Sequence, residues 1–123
     1  MACLASPAMF AQSPRSAAAT SFYEIIAVRI SPGGEVELRL KPTPGFSLNG
    51  PGYPPLTISL APPATFAAGG ARLSSVGIAE GDTAVWGVTV GPGAARLSGE
   101  LRSIVCGASL CRLVEERFEI EIR

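Results

Sequence analysis

Residues 35–40 read Glu-Val-Glu-Leu-Arg-Leu, and residues 118–123 read Phe-Glu-Ile-Glu-Ile-Arg. This strict alternation of apolar and charged side chains constrains the fold more than any other feature. Successive side chains of a strand point to opposite faces, so a period of two marks a half-buried antiparallel strand. The pattern recurs along the chain. Phe22, Glu24, Ile26, Val28 and Ile30 fall on one side of residues 22–30, with Tyr23, Ile25, Ala27 and Arg29 on the other. Ala84, Trp86, Val88 and Val90 share a face, as do Leu97, Leu101 and Val105. In the last segment Val114, Phe118, Ile120 and Ile122 alternate with Glu115, Arg117, Glu119 and Glu121.

The breaks between these runs are as informative. The chain holds 14 glycines and 11 prolines, clustered between the apolar segments. Ser31-Pro32-Gly33-Gly34 predicts a turn, which pairs the strands on either side of it as a hairpin. Residues 41–55 carry five of the prolines; proline removes a backbone donor, so this stretch is expected to be a long ordered loop or an irregular edge. Phe46, Leu48 and Tyr53 are placed to pin it to the core. Alternation resumes at Leu56, Ile58 and Leu60, and a short strand is expected near residues 72–76. The total is seven or eight strands with no helix and no repeat. With 123 residues and 47% apolar content, the chain suits one domain with a real core. The expected architecture is an all-β, immunoglobulin-like β-sandwich of antiparallel strands spanning residues 21–123.

Residues 1–20 differ from the rest. They are apolar early, rich in alanine and serine, and free of acid. They resemble the second half of a secretory signal, with Ser6-Pro7-Ala8 as a small-x-small cleavage site; the alternative is a disordered tail. The apolar part is too short to span a bilayer. Cys3 lies in this segment and would leave with it, so the mature domain keeps two cysteines, which favours a disulfide in a periplasmic or secreted protein.

Charge and composition exclude several functions. Ten basic and ten acidic residues balance to zero, without the basic face of a nucleic-acid-binding protein. The chain contains no histidine, so a Ser-His-Asp triad, a Cys-His dyad and a histidine-bearing zinc site are impossible within it. No cofactor is expected. The acidic residues are scattered on alternating strand faces, and no carboxylate pair suggests a hydrolase.

Cys106 and Cys111 remain as the candidate reactive groups. They flank Gly107-Ala108-Ser109-Leu110, a connection of common hairpin length. Opposed strand positions place Cβ atoms about 4.5–5.5 Å apart, and a disulfide needs about 3.5–4.5 Å, so small adjustments close the bond. A purely structural staple is one reading. It is a weak one energetically, since closing so short a loop contributes roughly 2 kcal/mol against about 4.7 for a hundred-residue loop. A metal site is another, but two thiolates would need ligands from a second chain. Thiol chemistry requires a thiolate, which nearby Arg112 or Arg102 would favour; the alternative is that both are simply solvated arginines.

Three features together resemble the N-terminal periplasmic domain of the thiol–disulfide interchange protein DsbD family and related domains linked to cytochrome c maturation. The strand of residues 35–40 leads into Pro44-Gly45-Phe46-Ser47-Leu48-Asn49, which looks like that group's Pro-Gly-aromatic segment ending in asparagine. The Pro-rich run at residues 50–55 follows. A long strand then enters Cys-x4-Cys, and a final strand closes the domain. The likeness covers roughly residues 22–122. It implies an immunoglobulin-like fold in which Cys106 and Cys111 shuttle electrons by thiol–disulfide exchange, recharged by a thioredoxin-like or membrane reductase. Arg112-Leu113-Val114 follows the second cysteine where the family often has an aromatic-proline step. A descendant that keeps the fold and uses the disulfide only structurally stays open. The rival from another class is a non-enzymatic interaction module. Its contact surface would be the Pro-rich loop at residues 42–55, with Phe46 and Tyr53.

Overall fold

The computed structural model describes residues 17–19, 22–50 and 52–123. The signal-like reading falls mainly on residues outside these. The strands are β1 (Ala17–Ala19), β2 (Tyr23–Arg29), β3 (Glu35–Pro42), β4 (Ser47–Leu48), β5 (Leu56–Leu60), β6 (Thr65–Phe66), β7 (Arg72–Ser75), β8 (Ala84–Thr89), β9 (Arg96–Cys106) and β10 (Cys111–Glu121). One sheet has the order β1-β2-β3-β8-β6, and the other β10-β9-β5-β7, with β4 joining β9 on the side that β5 also occupies. The strand pairs within each sheet are antiparallel. The protein is therefore all-β, two sheets facing across one core, as the alternation predicts. Among the described residues no helix is long and apolar enough to cross a membrane.

The inward set follows the period-two pattern. Ile25, Ala27, Val36, Leu38, Leu40 and Val88 from the first sheet meet Leu56, Ile58, Leu97, Leu101, Val105, Phe118 and Ile120 from the second, all buried. Trp86 is half-buried against this cluster. Burial of such aliphatic side chains contributes about 1.5–3 kcal/mol each, which is what holds the two layers together.

The end of β10 ties the layers along one side. Beyond the segment of β2 that β1 covers, Ile122 forms a parallel bridge with Ala27. There the Arg29 N–H donates to the Arg123 carbonyl at 2.7 Å and the Arg123 N–H to the Ala27 carbonyl at 3.0 Å. Among the described residues ten strands form where seven or eight were expected. Three of them, β1, β4 and β6, hold only two or three residues. Alternation cannot announce itself over so short a run. The Pro-rich stretch behaves as expected apart from β4: β3 ends at Pro42, and only Ser47 and Leu48 join a sheet.

Candidate disulfide site at the tip of the last hairpin

β9 and β10 pair along their whole lengths, from Glu121 opposite Arg96 to Cys111 opposite Cys106. The outward-facing side chains form rungs across the two strands. Midway along the hairpin Arg117 meets Glu100 at 3.2 Å, and on the next outward rung toward the tip Arg102 meets Glu115 at 3.1 Å. Ile104 and Leu113 form an uncharged rung above them, and Cys106 and Cys111 the last. Polarity thus falls away toward the tip. Leu110 in the connection is 70% exposed and Leu113 49%, so the sulfurs sit in an apolar setting open to solvent.

Cys106 and Cys111 form a disulfide, with their Cα atoms 4.0 Å apart. The backbone explains why these positions approach. The Gly107 N–H donates to the Leu110 carbonyl at 2.9 Å, which makes residues 107 and 110 a hydrogen-bonded pair. The rung below must then be a non-hydrogen-bonded pair, where Cα atoms come closest, about 4.5 Å in an ordinary sheet. The backbone groups of Cys106 point the other way, toward Ser47 of β4, its partner in register. Cys106 is half-buried between two strands, whereas Cys111 on the edge strand β10 is exposed.

The segment Pro44-Gly45-Phe46-Ser47-Leu48-Asn49 is fastened to this hairpin. Ser47 and Leu48 pair with Cys106 and Val105. Buried Asn49 makes the strongest attachment. Its N–H donates to the Ile104 carbonyl at 2.6 Å, its side-chain oxygen accepts from the Ile104 N–H at 3.0 Å and from the Ser103 hydroxyl at 2.6 Å, and its side-chain NH2 donates to the Pro54 carbonyl. Asn49 adopts a left-handed backbone, φ 49°, which asparagine tolerates better than most residues. Gly77 permits the close crossing of this segment by the chain behind it: a Cβ there would lie 1.8 Å from the Asn49 carbonyl oxygen. Farther back, the Gly45 N–H donates to the Glu80 carboxylate at 2.6 Å.

On the inner side of the tip an aromatic pair closes the end of the core. The Phe46 ring lies so close to Gly107 that a Cβ there would be 3.1 Å from its edge. Phe22 meets Phe46 edge-to-face at 5.4 Å, and the Arg112 guanidinium stands 5.8 Å from the centre of the Phe22 ring. The two arginines expected to favour a thiolate are therefore both engaged elsewhere. Arg112 projects to the opposite face from the sulfurs. Arg102 is neutralised by Glu115 and lies four residues down the strand, about 13 Å at the usual rise.

Phe46 and Tyr53 separate in role. Phe46 packs against the core, while Tyr53 is 45% exposed. Tyr53 lines a groove of about 490 Å³ with Ser47, Pro54, Val76 and Ile78. Sequence reasoning overlooked Glu116, which shares the inward parity of Val114 and Phe118. Tyr23, 2% exposed, donates its hydroxyl to the Glu116 carboxylate. Burial, followed by the bond to Glu116 and that carboxylate's charge, pushes the Tyr23 phenol far above the usual tyrosine range. Among the described residues no three carboxylates or cysteines gather as a metal site. Compared with known families, curated proteins and solved structures, the chain shows no match in any of the three.

Proposed function

We propose that this protein is a thiol–disulfide exchange module whose Cys106–Cys111 pair passes electrons between a reductase and a partner protein. What carries the reading is the division of labour at the tip: Cys111 is exposed, and Cys106 has, besides the sulfur bond, a separate hold in its backbone pairing to Ser47. A bond that can open without releasing its strand suits a reversible redox couple. The reduced form transfers two electrons. A thiolate of the pair attacks a sulfur of the partner's disulfide, and a mixed disulfide forms as the partner's second sulfur leaves as a thiolate. The other cysteine, as its thiolate, then attacks the mixed disulfide, which restores Cys106–Cys111 and frees the partner as a dithiol. Cys111, the exposed member, is the sulfur that partners reach. A dithiol reductase, thioredoxin-like or membrane-bound, returns the electrons. An oxidising compartment, periplasmic or extracellular, is where such a module belongs.

The test is the reduction potential of the couple, measured against glutathione in a Cys3→Ala background. A value of about −120 to −270 mV, the range of exchange proteins, is expected. A value below about −300 mV overturns the proposal. It would favour the second reading, a non-enzymatic interaction module with a structural disulfide. That reading draws on the groove beside Tyr53 and on Val76, which is 80% exposed.

A further inference from the structure

When the disulfide opens at Cys111, the electron pair of the broken bond departs on Cys106. Whatever stabilises a thiolate there accelerates the step, because a leaving thiol of lower pKa leaves faster. The charged groups near the tip do not supply that stabilisation: Arg102 and Glu115 neutralise one another, Arg112 lies over Phe22 on the inner face, and Glu80 accepts the Gly45 N–H. Ser47 remains. It is the register partner of Cys106, and since Leu48 and Val105 on the next rung both point into the core, Ser47 and Cys106 both point outward. Opposed residues hold their Cβ atoms about 4.5–5.5 Å apart, within reach of an O–H···S hydrogen bond. The Ser47 hydroxyl makes no hydrogen bond among the described residues, although the side chain is half-buried.

We infer that Ser47 is the leaving-group stabiliser of this site: its hydroxyl donates to the Cys106 thiolate that appears when a donor's thiolate bonds to the Cys111 sulfur and the Cys106–Cys111 bond breaks. The donor's second thiolate then attacks the donor sulfur of the mixed disulfide and releases Cys111. Both cysteines end reduced and the donor ends as a disulfide, so atoms and electrons balance. The inference rests on the exchange reading for its purpose, but its chemistry is measurable without any partner. A hydrogen bond to the charged form lowers a pKa, so the Cys106 thiol should be more acidic with Ser47 than without it.

Two measurements decide it. In a Cys3→Ala, Cys111→Ser background Cys106 is the sole thiol, and its titration is followed by the ultraviolet absorbance of the thiolate. Ser47→Ala is expected to raise that pKa by about one unit, and Ser47→Thr to keep it, because threonine retains the hydroxyl. In the Cys3→Ala protein with the pair intact, reduction by dithiothreitol is expected to slow about threefold in Ser47→Ala, since rates change by roughly half a decade per pKa unit. Ser47→Val against Ser47→Thr repeats both comparisons at equal size, should alanine weaken β4. Ser109→Ala, at the turn itself, is the control and should leave both values in place. An unchanged Cys106 pKa in Ser47→Ala and Ser47→Val overturns the inference, and so does a raised pKa with an unchanged rate of reduction. Neither result touches the reduction potential that tests the exchange reading.

Discussion

The two long hairpins of this sandwich are closed in opposite ways. β2 and β3 join through residues 30–34 with no covalent bond between them; at the turn the Ser31 hydroxyl donates to the Glu35 carboxylate at 3.5 Å and accepts from the Gly33 N–H at 3.3 Å. The Ile30 N–H reaches the Glu35 carbonyl at 2.9 Å, and Gly34, at φ 98°, accepts the Val90 N–H at 2.8 Å. A Cβ on Gly34 would lie 2.6 Å from the Val90 carbonyl oxygen, so one residue type is permitted there. β9 and β10 are closed by a covalent bond, yet their tip is also held by β4 at Ser47, by Asn49 on Ile104, and by Phe46 over Gly107. The turn of the first hairpin admits only glycine at position 34. The tip of the second has several holds besides its disulfide. The exchange proposed above draws on that redundancy.

The largest effect should come from the turn that carries no crosslink. Gly34→Ala places a side chain in a backbone region that L residues avoid and drives it into a carbonyl that cannot retreat without moving β8. A cost of about 3 kcal/mol is expected in urea unfolding, from overpacking and backbone strain together. Removing the disulfide by Cys106→Ser with Cys111→Ser should cost less, no more than about 2 kcal/mol, because the closed loop is short. The double variant should stay folded. If it unfolds at room temperature, or loses more stability than Gly34→Ala, the contrast between the hairpins fails and the disulfide is a staple.

The same contrast explains what could be read from the residues alone. The alternation Val36, Leu38, Leu40 and Val114, Phe118, Ile120 is long enough to expose its period, and these strands and their inward faces were legible. So was the cysteine rung, because Cys106 and Cys111 sit at the ends of two such runs. Attachments made by short segments were not. Nothing in Ser47-Leu48 shows that it pairs with Cys106, and Asn49 looks like any turn asparagine until the Ser103 and Ile104 groups arrive beside it. The arginines follow the same rule. Arg112 is next to Cys111 in sequence, but neighbours on a strand point to opposite faces, and the period-two rule that placed the core also removes Arg112 from the sulfurs. Glu116 was hidden by its charge, which suggests a solvated face although its parity points inward.

The smallest effect tests the contact that links the two hairpins. Tyr23 belongs to β2 and Glu116 to β10, and the phenol donates to the carboxylate across the layers. Tyr23→Phe keeps the ring and removes the hydroxyl, leaving the half-buried carboxylate without that donor; a loss of about 1 kcal/mol is expected near neutral pH. The pH dependence has a definite sign. The folded state holds the phenol proton well above the usual tyrosine range, through burial first and Glu116 second. An unfolded chain gives up that proton near pH 10, the ordinary tyrosine value. Below about pH 10 both states are protonated and the contribution is complete. Above it the folded state binds more protons than the unfolded one, so stability falls as pH rises. Urea midpoints at neutral and strongly alkaline pH should therefore converge for wild type and Tyr23→Phe as the wild-type advantage is titrated away. A gap that stays constant through the alkaline range would mean that the Tyr23 hydroxyl titrates alike in both states and does not join the two hairpins through its proton.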